Sequence, residues 1–260
     1  MIDLHTHILP GVDDGAEDIR ETVKIIGEAK KQGITKIVAT PHYLEEGYQL
    51  SPSEIKSEIK RLKNEVVIKD FDVKILPGSE VFITPDLGKK VEQGTITTIN
   101  NSRYILIEFP SGYIPEYVEE VFYDLKIMGY FPIIAHPERN EQIIDDFYHL
   151  FKLIKRGLIY AQLNAGSITG AFGVQIKKTA YKLIENNLIH FIASDTHSYS
   201  NRRMYFQKGL EKLEEIDSVY VNRFKENAEK VINDQELKVE PPGYQRKKTF
   251  FERIKSFISM

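Results

Sequence analysis

The 260-residue chain contains no cysteine and no tryptophan. Without cysteine there is no disulfide, no thiolate metal site and no sulfur nucleophile, so any chemistry must run on nitrogen and oxygen groups. A basic excess is also missing: 35 Lys and Arg stand against 38 Asp and Glu, a formal net charge of −3. That balance argues against a nucleic-acid coat. No apolar run approaches the ~18 residues of a membrane span. Met1–His5 has neither a basic n-region nor an apolar h-region, so a cytoplasmic location is expected. Low-complexity tracts and 20–50-residue repeats are absent as well. What remains is ordinary globular composition, 42% hydrophobic and 28% charged, enough for a well-buried core.

The chain has a rhythm. Short runs rich in Ile, Val, Leu and Phe occur at Met1–His5, Lys36–Thr40, Val73–Leu76, Arg103–Glu108, Phe131–Ala135, Leu158–Leu163 and Ile189–Ser194. They lack strict alternation, as strands buried on both faces do. Between them lie helical patterns: Glu17–Gln32, Ser51 to about Glu65, Pro115–Met128, Glu141–Arg156 and Val174–Asn187, with Arg202–Glu215 and Ser218–Asn233 after the last run. Ser51-Pro52-Ser53-Glu54 reads as a capping box with proline at the first helical position. Seven β-then-α units predict an α/β fold, a distorted (β/α)7 barrel of parallel strands. An open doubly wound sheet is the alternative, but no Gly-x-Gly-x-x-Gly follows the first strand.

Pro241-Pro242-Gly243 ends the pattern. Residues 1–235 are expected to form the barrel domain and 236–260 a basic amphipathic tail. Within Tyr244–Met260 five positive residues oppose Glu252, giving +4 and leaving −7 for the remainder. Phe250, Phe251, Ile254, Phe257 and Ile258 share one helical face there, which suits weak contact with anionic lipid or with a membrane-associated partner; a solvated tail is the bland alternative.

The polar residues cluster where strands end. The first strand ends in His5-Thr6-His7, the second in Pro41-His42, and the third runs on to Glu80. The fourth ends at Glu108, the fifth at His136-Pro137-Glu138-Arg139, the sixth at Asn164 and the seventh at Asp195-Thr196-His197. A parallel barrel brings all these ends to one face, where sites of this architecture lie. Taken singly, each of these residues has an ordinary structural explanation. Five of seven histidines and three carboxylates converging after predicted strands are explained most simply by bound metal. His149 (mid-helix) and His190 (strand start) fall outside the pattern and read as structural. Asp13-Asp14, in the loop after the first strand, supply either a helix N-terminal charge or an oxygen ligand reaching over the site. Arg139 and Arg202 lie on the same rim. Beside a cation cluster, arginines imply an anion held between, such as phosphate.

These stretches resemble the polymerase-and-histidinol-phosphatase (PHP) superfamily, and within it the manganese-dependent tyrosine-protein phosphatases encoded with bacterial capsule and exopolysaccharide genes. The resemblance rests on residues 1–15, Ala39–His42, Gly78–Glu80, Ile107-Glu108, Ala135–Arg139, Asn164–Ser167 and Ala193–His197. It implies a TIM-like PHP fold with three metal ions: one held by His5, His7, Glu80 and Asp195, a second by Glu80, Glu108 and His136, a third by Asp14, His42 and His197. It favours Mn2+, while the donor set alone also admits Fe, Co or Zn. Arg139 and Arg202 would bind the phosphate, with Arg203 an alternative to Arg202, and a metal-bridging hydroxide would displace phenolate without a cysteine intermediate. The implied substrate is a phosphotyrosine protein, the C-terminal segment of a bacterial tyrosine kinase. A histidinol-phosphatase-like phosphomonoesterase, a nuclease and a non-catalytic metal-binding scaffold are the competing readings. An amidohydrolase would need a metal-bridging lysine and a histidine after the sixth strand, where Asn164 stands.

Overall fold

The computed structural model describes residues 1–44, 47–65, 68 and 70–244. The strands are β1 (Ile2–Thr6), β2 (Lys36–Ala39), β3 (His42–Tyr43), β4 (Lys74–Pro77), β5 (Glu80–Phe82), β6 (Tyr104–Glu108), β7 (Phe131–Ala135), β8 (Tyr160–Asn164) and β9 (Phe191–Ala193). They form two sheets, β1-β2-β4 and β3-β5-β6-β7-β8-β9, with every pair parallel. The two sheets belong to one ring, because β3 continues β2 and β5 continues β4 in the chain. The first interruption falls at Pro41, which has no N–H for a ladder. The second falls at Gly78, where a Cβ would lie 2.8 Å from Val38 Cγ1. Backbone bonds from Asp195 N to His5 O and from His7 N to Thr196 O, both 2.9 Å, join the β9 end to β1 and close the ring. The expected seven strand positions are all present. Two are broken, which hydrophobic runs alone do not reveal.

Period-2 alternation sorts the barrel interior into layers. Tyr104 and Leu106, Ile133 and Ala135, and Phe191 and Ala193 form an apolar cluster with Ile2, Leu4 and Val38. Ala228, Val231 and Ile232 join it from helix α10 (Ser218–Ile232; among the described residues nine α-helices precede it), which covers the N-terminal end of the barrel. Nearer the C-terminal ends the inward positions are polar: Glu108 on β6, Gln162 and Asn164 on β8 above Tyr160, and Asp195 just past β9. A bulge in β1 aims its histidines. Asp3 pairs with Ile37 but Thr6 with Ala39, three steps against two. The extra residue lets Leu4 stay in the apolar cluster while His5 reaches the interior groups.

The other helices form the outer layer. Asp18 caps α1 (Ile19–Lys31), and Ser51 with Glu54 makes the expected capping box on α2 (Pro52–Asn64). The stretch expected as one helix over 141–156 is two, α5 (Glu141–Asp145) and α6 (Tyr148–Lys155). Asp146 between them is extended and accepts from Tyr148 N through its side chain. Helix α9 (Phe206–Ile216) presses on the short α7 (Ala165–Thr169) through Gly209, where a Cβ would meet Ala165 Cβ at 2.8 Å and Ile192 Cδ1 at 3.0 Å. Gly209→Val is expected to lower stability by about 1–3 kcal/mol through overpacking, read as a lower urea midpoint at unchanged m-value.

Beyond α10, Tyr104 Oη donates to Gln235 O and Gly243 N to Asn186 O. Tyr244 packs its ring among Phe147, Tyr148 and Phe151. The basic stretch 245–260 lies outside the described residues. Among the described residues no helix is long and apolar enough to cross a membrane.

His190 is buried at the foot of β9 and accepts from Ala161 N through Nδ1 (3.1 Å). Burial, with Arg223 adding to it, lowers its pKa from 6.5 to about 3. The unfolded chain therefore binds this proton first. The contribution of neutral His190 is complete above pH ~6.5 and is lost as pH falls toward 3, at up to ~1.4 kcal/mol per pH unit. Urea midpoints between pH 7 and 4 should fall less steeply for His190→Asn than for the wild type. Parallel curves would show that His190 is not the group responsible.

Candidate metal centre

The broken strands and the bulge deliver their side chains to one point. In the β3–β5–β6 register His42 lies beside Glu80 and Glu80 beside Leu106, which sets the Glu80 side chain near the barrel axis. Its Oε2 lies 3.1 Å from His5 Nε2, 3.2 Å from His7 Nε2 and 3.2 Å from His42 Nδ1, and its Oε1 is 2.9 Å from His136 Nε2. Asp195 Oδ1 sits 3.3–3.5 Å from His5 Nε2, His7 Nε2 and His197 Nδ1. Asp14 Oδ1, on the outer side, is 3.3 Å from both His42 Nε2 and His197 Nε2. Glu108 stands further off, 3.8 Å from His42 Nδ1 and 3.7 Å from His136 Nε2. His136 and Asp195 leave their strands in left-handed backbone conformations (φ 32° and 50°). Non-glycine residues hold that region at a cost, and such outliers concentrate at functional sites.

All nine residues expected as ligands thus lie together. Their donor atoms fall into three groups: His7, Asp14, His42 and His197; His5, Glu80, His136 and Asp195; and His42, Glu80 and Glu108. The resemblance pairs His7 with His5 and His136 with Glu108. His7 Nε2 lies 3.1 Å from His5 Nε2 and His136 Nε2 lies 3.7 Å from Glu108 Oε1, so the donor distances also accommodate that grouping, with His42 and Glu80 each shared between two groups.

The donor set fits bound cations. Glu80 Oε2, Asp195 Oδ1, His42 Nδ1 and His197 Nε2 are buried with no hydrogen-bond partner. Leaving such atoms unsatisfied is costly, and a shared ligand resolves the cost. Donors about 2.1 Å from a common centre stand about 3.0–3.4 Å apart, the separation seen around Glu80 and Asp195. The electrostatics agree. Burial alone would lower the histidine pKa values, but the carboxylates of Asp13 and Glu80 beside its ring drive His7 up to about 10, and carboxylates also raise His5 and His42. Burial opposes ionisation of Glu80 and Asp195, yet the imidazoles hold both well below the ordinary carboxylate range. Asp14 is held low by His197 and His42, whereas burial and the Glu80 charge raise Glu108. Four carboxylates focused on one point attract cations whether protons or metal ions supply the charge.

Both expected arginines reach the same rim. Arg139 Nη1 donates to Asp195 Oδ2 at 2.8 Å and its guanidinium lies 5.3 Å from the Phe172 ring centroid. Arg202 Nη1 donates to Asp14 Oδ2 at 2.8 Å. Arg203 turns away over Tyr205. A cleft of about 110 Å3, lined in part by Phe109, Ser111, Arg139 and Asn140, opens beside Glu108 and His136.

Three residues support the ligands from behind: Asp13, which the sequence offers as a helix N-terminal charge or an oxygen ligand, and Gln162 and Glu138, for which it suggests no role. Asp13 accepts from His7 Nδ1 (2.7 Å), Gln162 Oε1 lies 2.9 Å from His5 Nδ1, and Glu138 accepts from Asn164 N and Ser167 Oγ. Asn164, the polar end of the sixth expected strand, donates to Asp195 Oδ2 at 2.9 Å. Polar residues at alternate inward positions of a buried strand were the available signal for Gln162 and Asn164.

A closed parallel barrel with nitrogen and oxygen donors gathered at the C-terminal ends of its strands belongs to the class of barrel metallohydrolases. The particular family follows from comparison. The model for capsular polysaccharide synthesis, CpsB/CapC, matches residues 1–233, and the chain belongs to that family. Tyrosine-protein phosphatase YwqE of Bacillus subtilis is 37% identical over 252 residues, covering 96% of this chain and 99% of the relative. CapC of Staphylococcus aureus is 39% identical, with the same coverage of both chains. A crystal structure reported for YwqE of B. subtilis and CpsB of Streptococcus pneumoniae, described as metal-dependent tyrosine phosphatases, superposes with a TM-score of 0.92 at 37% identity, covering 95% of this chain and 100% of that one. A dihydroorotase at 15% identity and TM-score 0.50 shares the fold alone.

Proposed function

We propose that this chain is a metal-dependent protein-tyrosine phosphatase that uses Mn2+ and acts on phosphotyrosine in a bacterial tyrosine kinase controlling capsule or exopolysaccharide synthesis. The observation that carries this reading is one rim holding nine metal-type donors together with two guanidiniums. His5, His7, Asp14, His42, Glu80, Glu108, His136, Asp195 and His197 would hold up to three ions. Bound there, the metals supply charge neutralisation and a water of lowered pKa. The chain's own groups do the rest. Arg139 and Arg202 bind the equatorial phosphate oxygens and orient phosphorus, where charge-assisted forked contacts are strongest. Phe172 and Asp195 keep Arg139 aimed. A tyrosine phenolate, with pKa about 10, leaves with less protonation than a serine alkoxide would need.

The open mouth favours a protein substrate. Asp14 and Arg202 are partly exposed, and Tyr113 and Tyr199 stand out on rim loops. The reading includes action in the cytoplasm and weak contact of the basic tail, Tyr244–Met260, with anionic lipid. Phosphate release from a phosphotyrosine peptide and from histidinol phosphate, measured on metal-stripped protein with and without Mn2+, tests it. Mn2+-restored activity favouring the peptide is expected. Preference for histidinol phosphate would keep the metal centre and replace the substrate, and no release from either would leave a binding scaffold.

A further inference from the structure

We infer that Asp13 is a positioning residue that sets the proton of His7 and couples two strands of the metal rim, an inference resting on the reading of these donors as metal ligands. Asp13 is adjacent to the expected ligand Asp14, but its side chain turns the other way. Asp13 Oδ2 accepts from His7 Nδ1 at 2.7 Å and from the backbone N of His42 at 3.1 Å, and Oδ1 accepts from Gly15 N at 2.9 Å. One carboxylate thereby ties the end of β1, the start of β3 and its own loop. The side chain is fully buried, so these contacts are not diluted by water.

The consequence for His7 is chemical. A neutral imidazole that donates through Nδ1 presents its Nε2 lone pair, as a metal ligand must, and Nε2 faces Glu80 Oε2 and Asp195 Oδ1 at 3.2 and 3.5 Å. The opposite tautomer would point a proton at the donor cluster. A carboxylate on the far nitrogen also makes the ring a stronger donor, the usual role of a residue behind a metal-bound histidine. The loop is shaped for this contact. Ala16 N donates to His7 O at 3.0 Å, and a Cβ on Gly15 would lie 2.2 Å from His7 O and 2.5 Å from His7 Cβ. Only glycine lets the loop settle on the histidine closely enough for Asp13 to reach Nδ1. The same fold-back sends Asp14, one residue on, toward His42 and His197.

The test compares the full chain with Asp13→Asn and Asp13→Ala. Mn2+ affinity and stoichiometry are read from the electron paramagnetic resonance signal of free Mn2+, with no substrate present. The His7 proton is located by two-bond 15N–1H correlation on the zinc-loaded protein. The wild type should carry the His7 proton on Nδ1. Asp13→Ala should bind at least one Mn2+ about 10–100-fold more weakly, the usual loss when a histidine's outer partner is removed. Asp13→Asn, which keeps an acceptor for Nδ1 but not the charge, should lose less. A merely structural role would lower the melting temperature and leave both readouts unmoved. Unchanged Mn2+ affinity in the folded variants, or a wild-type proton on His7 Nε2, overturns the inference; if Asp13→Ala does not fold, Asp13→Asn decides. Because no turnover enters, failure of the phosphatase reading would not produce either result.

Discussion

A Glu80→Gln protein should hydrolyse a phosphotyrosine peptide about 10^2- to 10^4-fold more slowly than the wild type and should retain less metal. Glu80 touches four of the five rim histidines, three through Oε2 and one through Oε1. Glutamine keeps the shape but offers one oxygen. Whichever way the amide turns, its NH2 faces either His136 or the other three imidazoles, and one of the negative charges that hold cations is gone. Removing one partner of a buried charged arrangement costs about 3–5 kcal/mol, and each 1.4 kcal/mol is a decade. Metal content by mass spectrometry separates the two components of the loss. A variant with full metal content and activity within a fewfold of wild type would displace Glu80 from the centre of the site.

How far the sequence leads depends on which physical rule places a residue. Strand-terminal residues were legible because a parallel barrel sends every strand end to one face. That rule alone brings His42, Glu108, His136 and Asp195 together, though they are far apart in the chain. Rules about runs of residues carry less. They do not show that Pro41 and Gly78 break two strands, nor that a bulge in β1 turns Leu4 and His5 into the barrel together. Register against a neighbouring strand fixes those features, and one chain read alone does not contain it. The division of 141–156 into two helices is of the same kind, because an aspartate turn at Asp146 wins over a helical hydrophobic pattern. The supporting residues were hidden for another reason. Asp13 looks like a loop charge until the fold brings it against His7, and Gln162 looks like a strand polar residue until β8 lies beside β9 and faces His5.

Arg139→Ala is expected to lower kcat/KM for the peptide about 10^2- to 10^3-fold while leaving metal content unchanged. The first half follows from removing a positioned donor to developing charge, which costs that much where such donors have been deleted in other enzymes. The second follows from what remains around Asp195. Arg139 contacts Asp195 Oδ2, but Asn164 Nδ2 holds the same oxygen at 2.9 Å, and Oδ1 still faces three imidazoles. The carboxylate therefore keeps its place when the arginine is removed. Arg139→Lys should recover little, since a single ammonium cannot replace a planar fork that also packs over Phe172 at 5.3 Å. Inhibition by inorganic phosphate should weaken in parallel with the loss in kcat/KM, because product and transition state share the oxygens the guanidinium binds. Loss of metal in Arg139→Ala would instead assign Arg139 to holding Asp195, and full activity in Arg139→Lys would reduce its role to charge alone.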